Sequence, residues 1–252
     1  MIGLVAVSHS RALAEAAVEL ALQMAGARPP TIRVAAGGPD GDLGTDAVAI
    51  AAAVDEADSG DGVLVLMDLG SATLSAETAL EFVAAPERVR LSSAPFVEGL
   101  VAAVVTAAGG ADVDAVAAEV RGAGDAKRRQ LGDAEAPASP GDARGSATSS
   151  AVPAASGVVG DALSFETVVV NPSGLHARPA ATFVKAASRY DAEVRIADLD
   201  AGSGVVSARS LLALMALGIR PGARVRVSAS GPQARQALDD LRALIDDGFG
   251  ER

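Results

Sequence analysis

A long stretch with few large apolar residues divides this chain into two parts. From about residue 122 to 160 the sequence is rich in Gly, Ala, Ser, Pro and Asp. Such a segment cannot form a hydrophobic core and is typical of a flexible linker. Both flanking segments carry periodic apolar patterns, and a chain of 252 residues has room for two ordinary domains. We expect domains at 1–125 and 161–252, joined by a linker over 126–160.

The first segment alternates short apolar runs with helical patterns. The run IGLVAV is continuous and rich in valine, which is typical of a strand buried on both faces. Similar runs and helical patterns follow it in alternation. This order predicts an α/β domain with a mostly parallel sheet and helices on both faces. We expect strands over 2–7, 31–36 and 61–70 and helices over 10–26, 45–58 and 71–85, followed by a further strand and two Ala-rich helices.

The second segment follows a different pattern, because its strands alternate apolar and polar residues. The stretch ARVRVSAS (223–230) is the clearest case, and FETVVV and AEVRIADL are similar. Alternation is typical of strands with one face in water. We expect an α+β open-faced sandwich, in which an antiparallel sheet carries helices on one face.

Composition excludes several classes of protein. The chain has no Cys, which rules out disulfides and thiol nucleophiles. Its longest small-apolar stretch, at 99–111, falls short of the roughly 20 residues of a membrane-spanning helix. The amino terminus has no basic region before its apolar run, so we expect no secretory signal and a cytoplasmic protein. Residues 1–125 hold 6 Arg against 18 acidic residues, which argues against nucleic-acid binding.

The chain has two histidines, one in each expected domain. His9 and His176 each follow a predicted strand or its turn and stand at the start of a predicted helix. Helix N-termini carry unpaired N–H groups and a partial positive charge, so they favour phosphate. One histidine at a helix start is commonly a surface residue. Two such histidines in separate domains instead favour imidazole nucleophiles that carry a phosphoryl group.

The string around the second histidine, NPSGLHARPAATFVKAAS, resembles HPr, the histidine-containing phosphocarrier of the bacterial phosphotransferase system. The resemblance covers about 161–252. It implies that His176 is phosphorylated, that Arg178 contacts the phosphate, and that Pro179 occupies the first helical turn. Ser210 falls at the family's regulatory serine position, although a helix-start serine is explained more simply as a cap.

Three strings of the first segment, LVAVSHS, AAGGPDGDLGTDAVAI and VLVLMDLGSATLSAE, resemble mannose-family enzyme IIA domains. More narrowly, they resemble the phosphotransferase subunits of phosphoenolpyruvate-dependent dihydroxyacetone kinases. The resemblance implies that His9 is phosphorylated and that Asp68 orients its imidazole. Gly70 and Ser71 follow in a tight turn that opens a helix, where their N–H groups can hold phosphoryl oxygens.

Together the resemblances imply a phosphoryl relay. Enzyme I would phosphorylate His176, and the group would pass to His9 and then to ADP on a DhaL-like subunit that works with a DhaK-like subunit. No cofactor or metal is implied for this chain. The resemblance also implies a homodimer through residues 1–125. Since the printed sequence ends after the second domain, we expect enzyme I to be a separate protein.

Two other functions remain open from the sequence. The first domain could feed the IIB subunit of a sugar permease, although the Gly-rich string GGPDGDLGT (37–45) favours the kinase. Alternatively, the protein could be a regulatory phosphoprotein that is read by a transcription factor.

Overall fold

The computed structural model describes residues 1–131, 163–202 and 204–251. Its first half holds a sheet of four parallel strands in the order β2-β1-β3-β4. Parallel neighbours end at the same edge of a sheet, so the residues that follow these strands are brought together. The strands are β1 (Gly3–Ser8), β2 (Thr31–Ala36), β3 (Val63–Met67) and β4 (Val89–Ser92).

Helices cover both faces of this sheet, as the sequence predicts. Successive residues of β1 point to opposite faces, and Leu4 and Val5 are both fully buried. Leu4 packs in a cluster with Leu100, and Val5 in a second cluster with Ile50. The helices are α1 (Arg11–Leu22), α2 (Ala47–Ala57), α3 (Gly70–Ala79), α4 (Phe96–Ala108), α5 (Val113–Arg121) and α6 (Asp125–Leu131).

The second half holds an antiparallel sheet in the order β5-β8-β6-β7. Burial alternates along β5 and β8, so one sheet face packs on helices and the other meets solvent. The predicted α/β and α+β fold classes are confirmed. The elements are β5 (Leu163–Val168), α7 (Ala177–Ala187), β6 (Glu193–Asp198), β7 (Val206–Ser207), α8 (Leu211–Leu217), β8 (Arg224–Ser230) and α9 (Ala234–Asp246).

The expected linker lies largely outside the described residues. Its first six residues, 126–131, lie in α6, and 132–160 are not described. No helix in the described ranges is long and apolar enough to cross a membrane.

The two halves pack against each other through helices. α7 and α8 contact α4, and α8 also contacts α6. Val105 of α4 is fully buried in a cluster that otherwise belongs to the second half, and Leu212 of α8 packs against the core of the first half. Apolar side chains therefore cross the boundary in both directions.

Hydrogen bonds between the two halves fix how their helices lie against each other. Glu119 Oε1 accepts hydrogen bonds from Ser210 Oγ and from the Leu212 backbone N–H, both at 2.9 Å. Elsewhere between the halves, Lys185 Nζ of α7 donates to the Met24 carbonyl, just after α1, at 3.0 Å. We call this set of contacts the inter-half interface.

Candidate functional site

The first candidate site forms where β1 and β3 end side by side. His9 follows β1 directly, and Asp68 follows β3. Because these strands are parallel neighbours, the imidazole and the carboxylate meet at the carboxyl edge of the sheet. Ser10 then caps α1, since its side chain accepts from the Leu13 N–H.

Asp68 holds His9 through both of its carboxylate oxygens. Oδ1 lies 3.0 Å from His9 Nδ1, and Oδ2 accepts from the His9 backbone N–H and from Ser8 Oγ, both at 2.9 Å. The Asp68 side chain is 7% exposed and the imidazole 25%. Burial by itself would raise the pKa of Asp68, but the hydrogen bonds from His9 and Ser8 outweigh it and hold that pKa below its ordinary value.

An ionised Asp68 selects one tautomer of His9. A carboxylate can only accept, so Nδ1 carries the proton and Nε2 is left with its lone pair. Ser71 Oγ lies 3.0 Å from Nε2 and can donate to it. The ring nitrogen of His9 that keeps a lone pair is therefore Nε2, on the side of the ring that faces Ser71 of α3.

The start of α3 gives the His9 site an anion-binding end. Gly70 and Ser71 form its first turn, and Leu69 supplies no side-chain cap. The N–H groups of a first turn have no partner inside the helix. Apart from its chain neighbours and its own helix, no atom of the described residues lies within 4 Å of the place where a Cβ on Gly70 would stand. The structure thus brings Asp68 and Ser71 into contact with His9, and Gly70 precedes Ser71 in the same turn.

Arg11 is a residue of this site that the motif analysis missed. Its Nη2 donates to the Ala36 carbonyl at 3.2 Å, and Ala36 is paired with Ser8 at the ends of β2 and β1. The exposed ion pair with Glu15, at 3.7 Å, is weak. A sequence signal existed, because Arg11 and Arg178 each stand two residues after a histidine.

The Gly-rich segment folds back over the first site. Gly37 N–H donates to the Ser8 carbonyl and Gly44 N–H to the His9 carbonyl, each at 3.1 Å. Leu43 in this segment is 79% exposed. The segment is anchored at both ends to the strand that carries His9, and it presents its tip to solvent.

The second candidate site is a turn that leads into α7. His176 is the N-cap residue of α7, and its side chain makes no capping bond. Gly174 has a φ of +67°, and a Cβ there would stand 2.3 Å from the Ile219 carbonyl oxygen. Leu175 N–H donates to that same carbonyl at 2.9 Å. The close approach of these backbones requires glycine and fixes the position of the histidine.

Glu251 binds the far side of the second imidazole. Its Oε2 lies 3.0 Å from His176 Nε2, and Asn171, which is fully buried, donates its amide to the Gly174 carbonyl beneath the ring. With Nε2–H donated to the carboxylate, Nδ1 is left with its lone pair. The two histidines therefore present opposite ring nitrogens.

The predicted partners of His176 lie beside it on α7. Arg178 is exposed and forms no ion pair with any residue that the structure describes, so its guanidinium is available to a phosphate. Pro179 is buried in the first turn of α7, where its missing N–H costs nothing. Glu251 was not predicted.

Ser210 belongs to neither histidine site. It caps α8 by accepting from the Ala213 N–H at 3.0 Å, which confirms the capping interpretation, and its hydroxyl donates to Glu119. Ser210 is therefore part of the inter-half interface.

Comparisons with known families match each half separately. The model described as the PTS system fructose IIA component matches residues 3–117. The model described as the PTS HPr component phosphorylation site matches residues 163–247. Residues 3–117 are thus similar to a IIA domain, and residues 163–247 to an HPr domain, of the phosphotransferase system.

Curated relatives match this chain along its whole length. The phosphoryl donor subunit DhaM of PEP-dependent dihydroxyacetone kinase from Escherichia coli is 42% identical over 256 residues, which cover 100% of this chain and 51% of DhaM. DhaM of Klebsiella michiganensis is 40% identical, with the same coverage. The chain therefore spans about half the length of these relatives. Among solved structures, the HPr of Thermoanaerobacter tengcongensis is 34% identical and covers 36% of this chain and 98% of its own, with a TM-score of 0.34.

Proposed function

We propose that this chain is the phosphoryl relay of a phosphoenolpyruvate-dependent dihydroxyacetone kinase. In this proposal enzyme I phosphorylates His176, His176 passes the group to His9, and His9 passes it to ADP on a DhaL-like subunit. The proposal rests above all on the two histidines, each with one ring nitrogen bonded to a carboxylate and the other left as a nucleophile. The full-length similarity to DhaM favours this kinase over a sugar permease.

At His176, the nucleophile is Nδ1. Its lone pair forms the bond to phosphorus while the bond to the donor breaks, and the ring becomes positively charged. Glu251 stabilises that charge through Nε2–H, and Arg178 can pair with the phosphoryl oxygens. Catalysis here consists of positioning and charge stabilisation.

At His9, the nucleophile is Nε2. Its lone pair attacks the phosphorus held on His176, and the P–N bond to Nδ1 of His176 breaks. Asp68 stabilises the imidazolium that forms, because it keeps the Nδ1–H bond. The first turn of α3 and the Ser71 hydroxyl lie on the side where the phosphoryl oxygens arrive. Arg11 is the cation that follows His9 on α1.

The same proposal sets the partners and the location of the protein. Enzyme I delivers the group, a DhaL-like subunit with bound ADP receives it, and a DhaK-like subunit holds dihydroxyacetone. We place the protein in the cytoplasm, as a homodimer through residues 1–125. Ser210 is a further candidate for regulation, since phosphorylation there would place a dianion against Glu119.

The test is phosphoryl transfer from labelled phosphoenolpyruvate through enzyme I. Wild type, His176→Ala and His9→Ala are compared before and after addition of ADP-loaded DhaL. We expect His176→Ala to take up no label, and His9→Ala to take up label that DhaL cannot remove. If DhaL leaves the wild-type label in place, the acceptor is a permease subunit or a regulator and the kinase assignment is wrong.

A mixture of the two variants shows the path of the relay. Each variant lacks one histidine, so discharge from the mixture requires transfer from His176 of one chain to His9 of another. Recovery of discharge shows transfer between chains, and its absence shows transfer within one chain.

A further inference from the structure

The inter-half interface contains a cleft with basic walls. The cleft has a volume of about 310 Å³ and lies where the carboxyl ends of α1, α4 and α7 meet. Arg28 enters it from the first half, and Lys185 and Arg189 enter it from the second. Ser188 adds a hydroxyl. Among the described residues that line the cleft, none is acidic.

Among the described residues, no carboxylate pairs with the cations of this cleft. In the described part of the chain, neither Arg28 nor Arg189 forms an ion pair. Lys185 donates to a neutral carbonyl, that of Met24. Burial, together with the nearby charge of Arg189, lowers the pKa of Lys185. Three neighbouring cations without a carboxylate partner would be stabilised by a bound anion.

Two glycines shape the backbone around these cations. Gly26 has a φ of +76°, and a Cβ on it would stand 2.9 Å from Lys185 Nζ. A Cβ on Gly109 would stand 3.1 Å from Ser188 Oγ. Because these Cβ atoms are absent, the last turn of α7 approaches the first half closely. On its first-half side, the cleft is therefore built from backbone that lies close to two side chains of the second half.

We propose that this cleft binds a small phosphate monoester and that the bound anion holds the two halves together. Its volume lies at the lower end of the range for ligand pockets, which favours a short molecule over a nucleotide. Ala25, Ala27 and Ala108 form an apolar wall suited to a short carbon chain. Since the cations come from both halves, the ligand contacts both and stabilises the docked arrangement.

Calorimetry on the full chain tests the binding. The probes are glycerol 3-phosphate, inorganic phosphate and glycerol. We expect saturable binding of glycerol 3-phosphate, weaker binding of inorganic phosphate, and no binding of glycerol. Arg28→Ala and Arg189→Ala should each weaken binding by roughly tenfold, because each removes a charge-assisted contact.

Arg235→Ala is the matched control, since Arg235 is an exposed arginine of α9 outside the cleft. It should bind as wild type does. An absence of glycerol 3-phosphate binding, or an equal loss in Arg235→Ala, overturns the site. If inorganic phosphate binds as tightly as glycerol 3-phosphate, the proposal of a monoester is wrong, and the ligand is free phosphate.

Hydrogen exchange tests whether the anion holds the halves together. The Leu212 amide donates to Glu119 across the interface, so its exchange reports undocking. Glycerol 3-phosphate should slow exchange at Leu212 in wild type, and Arg28→Ala should need roughly tenfold more of it for the same slowing. Binding without slower exchange overturns the coupling. Neither readout uses enzyme I or DhaL, so both are independent of the relay proposed above.

Discussion

Each histidine is given its chemistry by one carboxylate. Asp68 bonds Nδ1 of His9, while Glu251 bonds Nε2 of His176. In both pairs the carboxylate fixes the tautomer, and in the proposed transfer it would stabilise the imidazolium that forms. Replacing either carboxylate should therefore slow transfer at its own histidine and leave the other unaffected.

Asp68→Asn should slow phosphoryl uptake by His9 by roughly 10²-fold to 10⁴-fold, because an amide no longer selects the tautomer or stabilises the imidazolium. Uptake at His176 should not change. Rapid-quench transfer from phosphorylated HPr domain measures the first rate, and labelling by enzyme I measures the second. A His9 rate within about twofold of wild type would mean that Asp68 has a structural role only.

The lowered pKa of Asp68 also predicts how stability depends on pH. Its stabilisation is fully present above the ordinary carboxyl pKa of 3.8 and is lost as the pH falls through the lower folded-state pKa. The difference in free energy of unfolding between wild type and Asp68→Asn should therefore be constant at neutral pH and shrink below about pH 4. Urea unfolding across this range measures it. A difference that persists at the lowest pH would contradict the assignment.

Glu251→Ala should slow the phosphorylation of His176 by roughly tenfold, since the imidazolium loses its hydrogen-bonded anion. Asp247→Ala is the control, because Asp247 is an exposed carboxylate at the end of α9. Labelling rates with enzyme I compare the two variants. Equal rates would show that the Glu251 contact does not act in transfer.

Motifs predict the residues that lie near each other in sequence or at strand ends. His9 and Asp68 could be placed together because both follow strands of one parallel sheet. Arg11 was missed although its spacing from His9 repeats that of Arg178 from His176. Glu251 could not be predicted, because it lies 75 residues after His176. The chain brings the two residues together only after it has formed a complete sheet.

At the scale of elements, apolar patterns predict strands better than helix ends. β1 and β8 appear close to where continuous and alternating runs place them. The first helix was expected over 10–26, but α1 ends at Leu22 and turns follow it. The turns bring Met24 and Gly26 to Lys185. This tertiary contact, rather than local helix propensity, explains why α1 ends before residue 26.

Gly174→Ala should destabilise the second half by about 2–4 kcal/mol. The cost of a left-handed φ in alanine and the cost of the clash with the Ile219 carbonyl add together. Gly218→Ala is the matched control. Its φ is similar, at +61°, but no atom stands within 4 Å of the added Cβ, so its cost should be about 1 kcal/mol. Denaturant unfolding compares them, and equal costs would contradict the close approach.

At the scale of the whole molecule, the sequence predicts two folds but not their contact. A segment poor in large apolar residues indicates a tether and says nothing about which helix faces meet. The apolar pattern does not distinguish Val105 or Leu212 from other apolar residues of their own helices. Their role at the inter-half interface depends on the tertiary arrangement of both halves.

Glu119→Ala should loosen the inter-half interface while leaving each half folded, because Ser210 and Leu212 lose their shared acceptor. Hydrogen exchange at Leu212 should accelerate by roughly tenfold. Glu81→Ala, at an exposed glutamate of the same half, should leave the exchange rate unchanged. An equal rate in both variants would show that Glu119 does not hold the halves together.

The opposite ring nitrogens of the two histidines bear on the direction of the proposed relay. Nδ1 is bonded to the ring carbon that carries the side chain, so a phosphoryl group there is crowded by its own residue. Nε2 lies between two C–H groups and has more room. In the proposed relay, transfer from His176 to His9 would release this steric crowding, which favours transfer in that direction over its reversal.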